Sequence, residues 1–142
     1  MPKAYKTKRA LRTQTAFCTV AIDPSEVFVT LIYKIASLEE WREALAAGRY
    51  DGAPVDVADG FIHFSTAEQA RETAGKHFAG RAGLVLAALE ADALGEQLVW
   101  EPSRGGQLFP HLYRPFALSE VVWAKPLPLK ADGTHDFEGL LP

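Results

Sequence analysis

Apolar and polar positions follow two rhythms along this chain. EVFVTLIYKIA, Glu26 to Ala36, is dense in β-branched and aromatic residues and predicts a strand. Ser37 follows, three residues before Glu40 in the reciprocal arrangement that opens a helix. Leu38, Trp41 and Leu45 recur at helical spacing until Gly48 stops the run. Tyr50 to Gly60 contains Asp-Gly twice and Ala-Pro once, which predicts a loop. In the next stretch, DGFIHFST, side chains alternate across a strand: Phe61, His63 and Ser65 on one face, Ile62 and Phe64 on the other. Ser65 with Glu68, or Thr66 with Gln69, then starts a second helix with a narrow stripe of Ala67, Ala70, Ala74 and Phe78.

GLVLAALEAD, Gly83 to Asp92, is short and almost wholly apolar, as a central strand buried on both faces would be, although periodicity alone does not separate it from a buried helix. EQLVWEP and SEVVWAKPLPL read as further strands, the second giving up ladder donors at Pro126 and Pro128. Between them, SRGGQLFPHLYRPF turns at Gly105-Gly106 and is held extended by Pro110 and Pro115. The order strand, helix, strand, helix, then strands predicts an α+β fold with two early helices and a sheet finished by antiparallel strands.

Composition narrows the setting. A chain of 142 residues with 48% apolar and 23% charged residues suits one domain with a real core. Lys3, Lys6, Lys8, Arg9 and Arg12 form a basic tip, so residues 1–28 are read as a disordered or peripheral leader and 29–142 as a single α+β domain. The rest of the chain keeps 10 of the 15 basic residues against all 18 acidic ones, which argues against a nucleic-acid-binding face. One cysteine, Cys18, closes no internal disulfide and offers no thiolate zinc site, pointing to a reducing, cytoplasmic compartment. No apolar run approaches the roughly 20 residues of a membrane span.

The polar residues set among apolar ones carry the candidate chemistry. His63 lies within a strand and just before a helix start, where backbone amides favour an anionic or polar ligand; a structural histidine bonded to a carbonyl is the alternative. Ser65 is a helix cap or a ligand contact. Glu101 shares a strand face with Val99, has Trp100 opposite, and is a candidate general base or ribose-hydroxyl acceptor. Phe109, His111 and Tyr113 in FPHLYRPF form either a rigid pocket wall or a packed loop. His77 sits at the edge of the second helical stripe, and His135 in the turn ADGTHDF reads as exposed. The spacing of His63, Glu101 and His111 lacks the His-x-His or i, i+4 pattern of a metal site, so no metal is expected.

Five pieces, IYKIASLEEWREAL, DGFIHFSTAEQ, GLVLAALEAD, WEPSRGGQLFPHLYRPF and VVWAKPLPL, together resemble the small bacterial and plant family of unknown function 952, over about Leu31 to Leu129. The resemblance implies a split antiparallel sheet similar to the ADP-ribosyltransferase-like superfamily, whose cleft holds NAD in active members. It singles out His63, Glu101 and His111 with its Phe109-Pro110 frame. In that reading NAD is the substrate, and nicotinamide-ribosyl cleavage passes through an oxocarbenium-like transition state. Glu101 and His63 would be catalytic. His111, Ser65, Phe109 and Tyr113 would bind the ligand, with Lys34 as a point charge for phosphate and Tyr113 or Trp100 stacked on a flat ring. A non-catalytic nucleotide or metabolite binding module, and a protein-interaction domain using Trp100, Phe109 and Tyr113, are the alternatives from other classes.

Overall fold

In the computed structural model, residues 29–142 are described, and the basic leader, Cys18 and the strand start expected at Glu26 lie outside them. The first strand, β1, is Leu31–Ser37. Ser37 and Glu40 close the expected reciprocal cap of α1, Leu38–Ala47, and Gly48 ends it in the left-handed conformation. The face α1 buries is Trp41 and Ala44; Leu38 and Leu45, expected in the stripe, are exposed. A stripe assigned from three residues left its centre one position off.

After the two-residue β2, Arg49–Tyr50, the expected loop contains a helix, α2, Pro54–Asp59. Pro54 sits at its first turn, the Asp56 carboxylate accepts from the Ala53 amide at 2.7 Å, and Gly60 follows it left-handed. The prolines and glycines that signalled a loop are the punctuation of a short helix. The DGFIHFST strand is brief: β3 is Ile62–His63, extended by a bridge in which Tyr33 and Ser65 exchange backbone hydrogen bonds of 2.8 and 2.9 Å. Thr66 with Gln69, rather than Ser65 with Glu68, caps α3, Ala67–His77, whose buried small face is Ala70 and Ala74.

β4, Leu84–Glu90, is central, antiparallel to β1 on one side and to β8, Val121–Leu127, on the other. Val85, Ala87 and Leu89 enter the core shared with Trp41, Tyr50 and Phe116, and Leu84, Leu86 and Ala88 enter the core shared with α3 and Phe137. Burial on both faces explains the continuous apolar run. Pro126 lies on the edge strand β8, opposite Val85, where proline is tolerated.

The aromatic segment begins as a strand that includes Pro110. β6, Leu108–Leu112, lies between β3 and β5, Leu98–Pro102, and a two-residue β7, Phe116–Ala117, pairs with β2. All ladders are antiparallel, and the mixture of helices with antiparallel sheets is the α+β class. The register sets His63 of β3 directly opposite His111 of β6.

Candidate functional site

Asp56 organises the site, although no local pattern singles it out. Its carboxylate is buried, and all of its acceptor capacity is engaged. Oδ2 accepts from Lys34 Nζ at 2.8 Å and from the Ala53 amide at 2.7 Å; Oδ1 accepts from His63 Nδ1 at 2.6 Å and from the His63 amide at 3.1 Å. Burial alone would raise its pKa, but the His63 hydrogen bond and the Lys34 charge outweigh burial and hold the group at about 2. Lys34 is buried on the β1 face that also carries Ile32 and Ala36, and burial pushes its ammonium below its ordinary value against the pull of Asp56. Its charge is therefore paired with Asp56 inside the protein.

His63 is clasped from both sides. Nδ1 faces Asp56, and Nε2 lies 2.9 Å from the carboxylate of Asp59, one turn of α2 further on. Both ring nitrogens thus meet acceptor-only groups.

His111 is built differently. Its Nδ1 donates to Glu101 Oε1 at 2.6 Å, and the Tyr113 hydroxyl reaches the same carboxylate at 2.9 and 3.1 Å. The hydrogen bonds from His111 and then Tyr113 hold Glu101 below the usual carboxylate range, while the Glu101 bond pushes Tyr113 up. With Nδ1 committed, the other nitrogen of His111 is the one left for a ligand. Phe61 stacks on the His111 ring with centroids 4.1 Å apart, and the two histidine rings meet edge to face at 5.6 Å.

A cleft of about 720 Å³ opens beside this cluster, within the range of small-molecule and cofactor sites. Of the residues expected from the sequence, Lys34, His63, Ser65, Phe109 and His111 line it. Glu101 and Tyr113 do not; they act on the cleft through His111. Trp100 points to the opposite strand face from Glu101 and is half exposed, while Phe109 is buried, so Trp100, Phe109 and Tyr113 form no common surface patch. Ser65 shares a 2.9 Å hydrogen bond with Thr73 on α3. His77, expected at the edge of the helical stripe, is exposed and lines the cleft.

His135 departs from expectation: it is buried, with Nε2 donating to the Arg81 carbonyl at 2.8 Å and Nδ1 unpaired within the described residues. The turn composition around it concealed a fold-back onto the Arg81 segment. Among the described residues, no group of three or more histidine, cysteine or acidic side chains is placed to hold a metal ion, and no helix is long and apolar enough to cross a membrane.

The family model described as protein of unknown function DUF952 matches residues 35–124. The crystal structure of protein CC0527 from Caulobacter crescentus is similar at 59% identity, covering 77% of this chain and 96% of that one, with a TM-score of 0.75. The solution NMR structure of CC0527 is similar at 58% identity over 78% of this chain and 96% of that one, with a TM-score of 0.71. No curated protein matches.

Proposed function

We propose that this chain, which belongs to the DUF952 family, binds NAD or a related ligand bearing ADP-ribose in its cleft and acts on the nicotinamide-ribosyl bond. The observation that carries the reading is His111: fixed at Nδ1 by Glu101, it stands beside His63 on the wall of a cleft of about 720 Å³. A histidine oriented by a carboxylate, with its second nitrogen toward substrate, is the arrangement that general-base chemistry requires. In the reaction the C–N bond to nicotinamide breaks and its electron pair leaves with the neutral pyridine. Water, or an acceptor hydroxyl, bonds to the ribose carbon while His111 takes its proton. Glu101, held ionised, stabilises the imidazolium that forms and favours the positive charge of the oxocarbenium-like transition state. His63, locked by Asp56 and Asp59, positions the cleft wall.

The test is an NMR titration of amide and histidine-ring signals with NAD and ADP-ribose, paired with an assay for nicotinamide release. Saturable shifts at His63 and His111, lost in a folded His63→Ala/Glu101→Ala double variant, support the ligand class; unchanged binding in that variant removes it. A second reading, binding without turnover, is favoured by one observation: Glu101 stands behind His111 rather than on the cleft surface. Binding with no nicotinamide released would select it.

A further inference from the structure

The cleft is chemically polarised. On the side formed by α1 and α2, its lining includes three carboxylates, those of Glu40, Asp56 and Asp59. Its two lining cations other than histidine are Lys34 and Arg81, and Lys34 is already paired with Asp56 at 2.8 Å. Arg81 is different: no carboxylate among the described residues forms an ion pair with it, and its guanidinium lies 5.2 Å from the Phe78 ring.

Although Arg81 is exposed, its backbone is pinned. The Arg81 amide donates to the Phe78 carbonyl at 2.9 Å, the Gly80 amide donates to the Gly133 carbonyl at 3.0 Å, and the Arg81 carbonyl accepts from buried His135 at 2.8 Å. A guanidinium on a fixed backbone, resting on an aromatic ring, has lost part of the freedom that a surface arginine keeps. Hydroxyls also line the cleft: Ser65 and Thr73, bonded to each other at 2.9 Å, and Ser103, whose amide donates to the Gln107 carbonyl at 2.8 Å. A fork of guanidinium donors suits the oxygens of a phosphate or diphosphate, whereas the carboxylate side would repel them.

We infer that Arg81 is the centre of an anion subsite that takes the phosphate or diphosphate of the ligand and turns its ribosyl end toward His63 and His111. The inference rests on the reading of the cleft as a nucleotide site and fixes the direction in which the ligand lies.

The experiment uses the full chain and two probes, inorganic pyrophosphate and ADP-ribose, against wild type and Arg81→Gln, with side-chain NMR signals of Arg81 and ring signals of His111 followed separately. Because Arg81 is exposed and its side chain makes no hydrogen bond among the described residues, Arg81→Gln should fold as the wild type does. Pyrophosphate is expected to shift the Arg81 signals saturably, and the substitution should weaken both probes by about tenfold, the order expected for charged hydrogen bonds to phosphate. Adenosine, which lacks the phosphates, should show no such difference.

Equal affinities in the two proteins, or no pyrophosphate response in the wild type, would overturn the subsite. ADP-ribose shifts at His111 that survive Arg81→Gln unchanged would remove the subsite and keep the ligand class. Pyrophosphate bound through Arg81, with no response to ADP-ribose or NAD, would keep the subsite and remove the ligand class.

Discussion

Asp56 shows how one buried side chain can organise the polar groups around it. A buried carboxylate is tolerated here because a lysine, a histidine and two backbone amides supply every hydrogen bond it can accept. Replacing it by asparagine leaves the Lys34 ammonium buried without its counter-charge, and Asp56→Asn should lose about 3–5 kcal/mol in urea unfolding, with Lys34→Met in that background returning part of the loss. The same group predicts an acid dependence. Its folded pKa is depressed from 3.8 to about 2, so its contribution is complete above the unfolded value and disappears as pH falls through the folded one. About 2 kcal/mol of stability should therefore vanish between pH 4 and 2 in the wild type through this linkage, and the step should be missing from the denaturation curves of Asp56→Asn.

At the scale of elements, the site depends on two short segments that hold larger ones in place. α2 brings both Asp56 and Asp59 to His63, and the turn before it relies on Gly52, which has a φ of +109° and where an added Cβ would lie 2.9 Å from Asp56 Cβ. Gly52→Ala should destabilise by about 1–3 kcal/mol, the range for backbone forced into a disfavoured region, and should move the His63 ring resonance because Asp56 must shift. The second segment is the C-terminal turn, where Leu129 bridges to His135 and His135 anchors the Arg81 carbonyl. His135→Ala removes that anchor and a buried ring, with an expected loss of about 1–3 kcal/mol. Its distinguishing readout is faster amide exchange at Gly80, which donates to the Gly133 carbonyl of the same turn, with little change in α1.

Across the whole molecule, the sheet built on β4 is the stable centre and the β3-β6-β5 sheet carries His63 and His111. β4 pairs on both edges and is covered on both faces, so its amides should be the slowest to exchange, and Leu86→Ala should cost about 2–5 kcal/mol. On the edge strand, exposed Val122 should tolerate alanine within about 0.5 kcal/mol. A comparison of the two variants by thermal unfolding checks the contrast. The Tyr33–Ser65 bridge ties β1 to the segment after β3, which lets a rigid centre hold the histidines in register.

The sequence by itself determined the parts of the protein that depend on neighbours along the chain. The reciprocal cap at Ser37, a helix start at Ser65 or Thr66 and a short buried apolar element at Gly83 to Asp92 follow from local hydrogen bonding and side-chain period, which act over a few residues. Histidines at positions 63 and 111 were legible as candidates because polar groups interrupt apolar strands there. Only the tertiary structure decided which groups they meet. Lys34, Asp56 and His63 are joined across as many as 29 residues, and His135 reaches Arg81 across 54, because strand pairing and a helix hidden among turn residues bring them together. No local pattern records such a meeting, since the free energy that favours it, the mutual neutralisation of groups withdrawn from water, exists only after the chain has folded.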